Sequence, residues 1–286
     1  MMERFGHLAQ RLFNVPLAIH PGKAEVIMAA LADRLHLARV PMAAVDDWGF
    51  DEPGASYSDG GYDMAGPVAV IPIKGTLVQR TGSLRPYSGM TGYDGLRQAF
   101  LTALHDDAVE GIVLDIDSPG GEVSGCFDLC DTIFAARGEK PIAAILSENA
   151  FSAGYALASC ADPGRISVPR TGGTGSVGVL CMHVDWSAAL DEAGLKVTFI
   201  HYGAKKIDGH PEIALSPSAA SALQRDIDTL GELFTDTVAR NRGLAASAVK
   251  AMEAGTFLGS AGVSAGLADA VAAPDAAFRA LLAELA

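Results

Sequence analysis

The sequence lacks any long run of uncharged apolar residues, although 49% of its 286 residues are hydrophobic. A membrane-spanning helix needs about twenty consecutive apolar residues. Because no stretch approaches that length, we expect no membrane anchor. Charged side chains, among them Glu3, Arg4 and Arg11, interrupt the first residues, so the apolar stretch of an export signal is missing as well. These absences predict a protein of the cytosol.

Positive charge is also scarce. The chain has 21 Lys and Arg against 34 Asp and Glu, which gives a formal net charge of −13. An acidic surface of this size repels the phosphates of nucleic acids. We therefore expect no nucleic-acid partner.

Cysteines are few, and their spacing is not that of a metal site. Cys126, Cys130, Cys160 and Cys181 form no C-x-x-C pair, whereas structural zinc sites need more ligands at closer spacing. We expect reduced thiols in the core, with neither a metal nor a cofactor.

Composition divides the chain into three parts. We expect a helical N-terminal segment at residues 1–45, with one amphipathic helix over residues 23–36. Residues 46–66 are rich in Gly, Asp and Ser and predict a flexible linker. Residues 67–286 should form the catalytic domain.

Strands and helices alternate along residues 67–286. Short aliphatic runs bounded by turn residues predict strands, and apolar residues at helical spacing predict helices. The predicted strands cover residues 67–75, 111–121, 141–147, 165–169 and 196–201, the predicted helices cover residues 93–105, 122–137, 153–160 and 216–241, and a shorter strand-and-helix region spans residues 256–285. Such alternation is typical of a parallel sheet covered on both faces, so we expect an α/β fold.

Ser152 stands where an apolar strand gives way to a helix of small residues. Unpaired backbone N–H groups at such a helix start favour negative charge near the hydroxyl, as a nucleophile requires. The same position suits a serine that only caps the helix. Because serine caps are common, the local pattern by itself favours the cap.

Residues 117–121, Asp-Ser-Pro-Gly-Gly, end a predicted strand. Consecutive glycines let backbone N–H groups approach a ligand without obstruction by side chains, which an oxyanion hole needs. A tight turn with positive φ would use the same glycines. Alone, the motif does not separate the two interpretations.

A nucleophilic serine needs a base. The sequence offers His183, His201, His210 and the adjacent Lys205 and Lys206. A lysine amine acts as a base only where a dry pocket lowers its pKa from about 10.4 to about 8. Lysine pairs on a surface are usually just solvated, so the residues alone do not choose among these candidates.

The glycine run at residues 171–178 contains a formal G-x-G-x-x-G between Gly173 and Gly178. An apolar, strand-like run follows it, whereas a dinucleotide site requires a helix there. We therefore reject nucleotide binding. Instead, we expect this loop to line an active site, with Ser176 or Thr174 hydrogen-bonding a lysine amine, although a plain glycine hinge would look similar.

Five segments, in this order and spacing, resemble the signal peptide peptidase A family of serine peptidases. They are IPIKG at 71–75, LDIDSPGG at 114–121, SAGYALAS at 152–159, GTGSVGV at 173–179 and GAKKIDG at 203–209. The resemblance covers about residues 66–272. It implies the fold shared by the Clp protease proteolytic subunit and the crotonases.

The resemblance also implies roles for single residues. The family's nucleophile falls on Ser152 and its general base on Lys206, with Lys205 in a position where relatives vary. Ser176 falls on the serine that supports the lysine.

The family's oxyanion-hole N–H groups fall on Gly120 or Gly121 and on Ala153, the residue after the nucleophile.

Residues 13–31, FNVPLAIHPGKAEVIMAAL, resemble the start of phage and prophage head proteases. Those enzymes cleave scaffold and capsid proteins during procapsid maturation. The resemblance implies a polypeptide substrate, a location in the host cytosol or the phage procapsid, and a homo-oligomer in which serine and lysine can come from neighbouring subunits.

Other functions compete with this hypothesis. A Ser-His-Asp triad like that of the Clp subunit would need a histidine where the loop has Thr174 and Ser176. A crotonase-like acyl-CoA enzyme would have no need of Ser152. A host peptidase for proteins or signal-peptide fragments, and an assembly protein without catalysis, complete the alternatives.

Overall fold

The computed structural model describes residues 15–24, residue 27 and residues 60–285. Most of the helix predicted over residues 23–36 and most of the predicted linker lie outside these residues, although residues 21–24 and 27 are helical. The described residues of the two segments also form short strands, β1 (Leu17–Ile19) and β2 (Asp63–Ala65). Both strands pair with the domain that follows, so the described ends of these segments belong to its sheets.

The larger sheet has eight strands, and its centre is parallel. From one edge to the other it contains β11 (Thr256–Leu258), β10 (Gly173–Gly175), β8 (Ile142–Phe151), β6 (Gly111–Ser118), β3 (Val68–Lys74) and β2, while β9 (Ile166–Val168) pairs with β8 and with β12 (Ala270–Val271). The strand β9 pairs near the start of β8, and β10 pairs with its last residues. Because β8 carries both neighbours, its end is held on one side by β10 and on the other by β6.

A second sheet of four strands has the order β1, β7 (Gly120–Glu122), β4 (Thr76–Val78) and β5 (Met90–Gly92). The strand β4 directly follows β3, and β7 directly follows β6. The small sheet therefore stands at the carboxyl ends of the central parallel strands, which is where α/β folds place their sites.

The helices match most of the sequence-based predictions. They are α1 (Tyr93–His105), α2 (Cys126–Ala135), α3 (Ala153–Ala158), α4 (Ser187–Glu192), α5 (Pro217–Arg242), α6 (Ala246–Lys250), α7 (Ser260–Ser264) and α8 (Pro274–Leu285). The bounds of α1 are those predicted. The helix predicted from residue 216 begins one residue later because Ser216 is its cap, with the side chain accepting a hydrogen bond from Ala219 N at 3.1 Å.

The helix predicted over residues 122–137 is shorter than expected. Residues 120–122 pair as β7 with two other strands, so they are unavailable for a helix. Gly125 then adopts φ 88°, and α2 begins at the next residue. An apolar sequence pattern cannot show this, because the pairing partners lie far away in the chain.

Apolar residues cover the large sheet on both faces, as the α/β prediction requires. One face packs Ile71, Leu114 and Leu146 under the helices α1, α2, α3 and α5. On the opposite face, Val113 and Ile145 pack under α8 through Leu281. None of the described helices combines the length and the apolar character that a bilayer crossing requires.

The strand predicted at residues 196–201 is not formed. Residues 195–200 have no regular structure and are almost all exposed, because a strand needs a hydrogen-bonding neighbour and none of the described residues pairs with them. Ile200 and Tyr202 are both 100% exposed. The apolar pattern that predicted a strand is present, but the described residues do not cover it.

The prediction of reduced thiols is confirmed for the four cysteines, all of which are free. Cys126, Cys130 and Cys160 are buried behind the large sheet. Hydrogen bonding to Cys126 and Cys160, together with burial, raises the pKa of Cys130 well above its ordinary value. This thiol therefore stays protonated and packs as a small apolar group.

Candidate active site

Ser152 lies on a sharp turn between β8 and α3. Its backbone angles, φ 53° and ψ −121°, fall outside the regions that residues with a side chain ordinarily adopt. Such strain collects at functional sites, and a serine on a strained strand-to-helix turn is the arrangement that presents a nucleophile.

The hydroxyl of Ser152 does not cap the helix that it precedes. No side-chain cap hydrogen bond is present at this helix start, and Oγ donates instead to the carbonyl of Gly178 at 3.4 Å. The cap interpretation, which the local pattern favoured, therefore does not describe this serine. The hydroxyl points toward the residues that follow β10.

The backbone of Ser152 is fixed by β10. Ser152 N donates to Gly175 O at 2.8 Å, and Phe151 lies opposite Gly175 in the parallel pairing of β8 and β10. Gly175 has φ 103°, and a Cβ placed there would lie 2.5 Å from Gly255 O. Only glycine fits this position, so the glycine run predicted to line the site positions the serine directly.

The Pro-Gly-Gly turn packs against the same serine. Gly120 has φ 97°, and a Cβ placed on it would lie 2.9 Å from Ser152 Cβ and 3.0 Å from Ala153 N. Ala153 opens α3, so its N–H has no partner within the helix. The structure therefore places Gly120 next to Ser152 and Ala153, and Gly121 follows Gly120 in β7.

Ser118 orders this turn and was not singled out in the sequence. Its Oγ donates to Gly75 O at 2.7 Å and accepts from Gly120 N at 3.1 Å. Because the N–H of Gly120 is used in this way, the N–H of Gly121 is the better candidate for an oxyanion donor. A serine directly before Pro-Gly-Gly at a strand end is the signal that could have identified it.

The two polar residues of the glycine loop differ in their surroundings. Thr174 is fully buried in β10, and its hydroxyl donates to Phe257 O at 3.3 Å. Ser176 is buried with φ 55°, and its N–H donates to Gly255 O at 2.8 Å. Of the two, Ser176 is the one whose hydroxyl is not tied to the strand β11.

Of the predicted bases, the two lysines, His201 and His210 are exposed, and His183 is half-buried. Lys205 and Lys206 are exposed, with Lys206 N bonded to Gly203 O in a turn, and no hydrogen bond joins Lys206 to Ser152 in this part of the chain. His201 and His210 are exposed as well and bond to Gly203 O and to Glu212. A single chain thus brings the candidate nucleophile and the backbone donors together, but it leaves the amine of Lys206 exposed to solvent.

Fold and site together define a class: an α/β protein of the Clp protease and crotonase type, with a strained serine held over backbone donors. The sequence profile of peptidase family S49 matches residues 135–286, more than half of the chain, and that of Clp protease matches residues 94–172. This chain belongs to peptidase family S49.

Two phage proteins are similar to most of the chain. The head-tail preconnector protein GP5 of Enterobacteria phage P21 is 39% identical over 282 residues, which are 94% of this chain and 55% of that protein. The capsid assembly protease C of Escherichia phage lambda is 37% identical over 275 residues, 92% of this chain and 62% of that protein. The chain therefore spans less than two thirds of the length of either relative.

A more distant relative is a putative signal peptide peptidase SppA of Enterococcus faecium. It is 27% identical over 180 residues, 61% of this chain and 52% of that protein. The similarity to the signal peptide peptidase A family that the five motifs predicted is thus confirmed.

Proposed function

We propose that this chain is a serine endopeptidase in which Ser152 is the nucleophile. The observation that carries the proposal is the strained turn at Ser152, whose hydroxyl leaves the helix uncapped and lies beside the Pro-Gly-Gly turn. Membership of peptidase family S49 supports it.

The reaction begins when a neutral lysine amine, which we assign to Lys206, accepts the proton of the Ser152 hydroxyl. The oxygen attacks the carbonyl carbon of a peptide, and the oxyanion accepts hydrogen bonds from Gly121 N–H and Ala153 N–H. The lysinium then gives its proton to the leaving amine. Water, deprotonated by the same lysine, hydrolyses the acyl-enzyme and restores Ser152.

The lysine comes, in this proposal, from a neighbouring copy of the chain. Lys206 is exposed, and so are the apolar side chains of Ile200 and Tyr202 on the same segment. Exposed apolar side chains of this kind mark interaction surfaces. A homo-oligomer that covers this segment would bury the amine and supply the dry surroundings that a lysine base needs.

The substrate we propose is a capsid or scaffold protein, cleaved during head maturation in the host cytosol or the procapsid. The lambda relative is named a capsid assembly protease and the P21 relative a head-tail preconnector protein. One name refers to the capsid and the other to the phage head, and both proteins are similar along more than nine tenths of this chain.

The test is a cleavage assay with the purified protein and the capsid or scaffold protein encoded beside it, with cut sites identified by mass spectrometry. Ser152→Ala should abolish cleavage, with a fall in rate of at least about 10³-fold. Ser159→Ala is the matched control, because Ser159 is a buried serine just after α3 whose hydroxyl donates to Ala156 O. Equal cleavage by the wild type and Ser152→Ala would refute the proposal.

A further inference from the structure

We propose that residues 16–20 lie in the track of the polypeptide substrate and block Ser152 in the same chain until they move away. The inference rests on the proposed function, since it concerns access to the proposed nucleophile. Its centre is the strand β1, which pairs with backbone on both of its sides.

On one side, β1 runs antiparallel to β7, the strand that follows the Pro-Gly turn. Leu17 lies opposite Glu122 and Ile19 opposite Gly120, and His20 N donates to Pro119 O at 2.8 Å. On the other side, Leu17 exchanges two hydrogen bonds with Leu180, at 2.8 and 2.9 Å. The segment is therefore the middle strand between the oxyanion turn and the residues that follow Ser176.

The carbonyl of Ala18 faces the nucleophile. In the antiparallel register, Ala18 lies opposite Gly121, which directs its carbonyl toward the Gly121 N–H that we assign to the oxyanion hole. A Cβ placed on Gly120 would lie 2.2 Å from Ala18 O and 2.9 Å from Ser152 Cβ, so both groups approach the same point. A backbone carbonyl thus already occupies the place where that of a substrate would lie.

Ser152 is closed off in this arrangement. Its exposed fraction is 0%, although a peptidase must admit a peptide to this hydroxyl. Beside it, the ring of His20 packs against that of Phe151, with centroids 5.1 Å apart. The segment covers the residue before the nucleophile as well as the oxyanion turn.

Apolar side chains hold the segment in place. Leu17 and Ile19 are each 4% exposed and pack with Ala24, and Leu180 and Met182 pack against this cluster. The cluster is separate from the main core. Because this cluster is small and Ala18 is the one residue of the segment that packs in the main core, departure of the segment would remove only a methyl group from that core.

Removal of β1 would expose two unpaired backbone edges, one on β7 and one at Leu180. Extended peptides bind to such edges by adding a strand, with main-chain hydrogen bonds for affinity and pockets for alternate side chains. The ligand that fits is an extended polypeptide with apolar side chains two residues apart, where Leu17 and Ile19 now lie. In this proposal, residues 16–20 occupy the strand position of the substrate.

A reversible lock tests the proposal. In a Cys181→Ser background, Leu17→Cys with Leu180→Cys places two thiols on a hydrogen-bonded antiparallel pair, whose Cα separation of about 5.5 Å suits a disulfide. The full-length protein is treated with a fluorescent fluorophosphonate, which labels an activated serine. We expect labelling at least tenfold slower in the oxidised form than in the reduced form, with no redox response in Cys181→Ser alone.

A second variant releases the segment. Leu17→Glu with Ile19→Glu buries two carboxylates in the apolar cluster and should expel β1, so labelling should be at least tenfold faster than in the wild type. Lys23→Glu, at an exposed position three residues after the segment, should leave the rate unchanged. The peptide VPLAIHPG, which copies residues 15–22, should slow labelling of the released variant, and a scrambled peptide should not.

The outcomes separate this inference from the proposed function. The proposal is wrong if the oxidised and reduced forms are labelled equally fast, or if a folded released variant is labelled more slowly than the wild type. Either result would show that β1 is a fixed part of the site and does not block access to Ser152. If no folded form is labelled, including the released variant, Ser152 is not an activated nucleophile and the proposed function itself fails. Thermal unfolding of each variant establishes that it is folded.

Discussion

The surroundings of Ser152 and the segment that carries Lys206 differ in almost every physical respect. Ser152, Thr174 and Ala153 are fully buried, and the pairing of β8 with β10 holds the chain directly before Ser152. Residues 195–206 are almost all exposed and lack regular secondary structure apart from a turn. One half of the site is complete within a single fold, and the other half needs a surface that the described chain does not provide. The proposed pairing of Ser152 with Lys206 therefore depends on assembly as well as on folding.

The largest expected effect concerns the two adjacent lysines. Lys206→Ala should lower the cleavage rate by about 10³-fold because it removes the proposed general base, whereas Lys205→Ala should change it by less than about threefold. Both residues are exposed in the single chain, so the pair is a matched comparison. Cleavage of a fluorogenic peptide measures it. If Lys205→Ala is the damaging change, the base has been assigned one residue too late.

Gly175→Ala tests the buried surroundings of Ser152. It should lower the cleavage rate by about 10²-fold, because a displacement of about 1 Å at a nucleophile has that effect. The new Cβ would press on Gly255 O at 2.5 Å, and Gly175 O holds Ser152 N. Steady-state kinetics together with the melting temperature measure this effect.

Gly138→Ala is the control for that substitution. Gly138 has φ 87°, close to the strained angle of Gly175, but nothing lies within 4 Å of its Cβ position. It should cost about 1 kcal/mol of stability and leave the rate unchanged. An equal loss of activity in both variants would mean that stability, and not the position of Ser152, is responsible.

The smallest effect separates the two polar residues of the glycine loop. Ser176→Ala should lower the rate by about tenfold if its hydroxyl orients the lysine amine, which corresponds to about 1.4 kcal/mol. Thr174→Val should mainly lower stability, by about 1 kcal/mol, since its hydroxyl already bonds Phe257 O. Kinetics and chemical denaturation of both variants measure the contrast, and a reversed order would assign the supporting role to Thr174.

The parts of the fold that depend on local patterns were predictable from the sequence. The helix over Tyr93–His105 and the central strands follow from apolar spacing, and glycines mark the turns around Ser152. The small sheet was not predictable, because β1 and β7 are separated by a hundred residues and each is only three residues long. Short strands far apart in the chain leave no periodic signal.

The candidate site was also only partly predictable from the sequence. The buried half was predicted from motifs whose glycines allow positive φ and close backbone approach, as at Gly120. The missing strand at residues 196–201 shows the limit, because an apolar pattern predicts a strand only where a neighbour pairs with it, and none of the described residues does so here. The role of residues 16–20 was missed because they were assigned to a helical segment.

The most direct test of the shared site mixes two inactive proteins. Ser152→Ala and Lys206→Ala chains are unfolded together, refolded as mixed oligomers and assayed for peptide cleavage. Random assembly should restore about a quarter of the wild-type sites, because a site between two copies can pair an intact serine with an intact lysine. If mixed oligomers form but remain as inactive as either parent, serine and lysine act within one chain and the account is wrong.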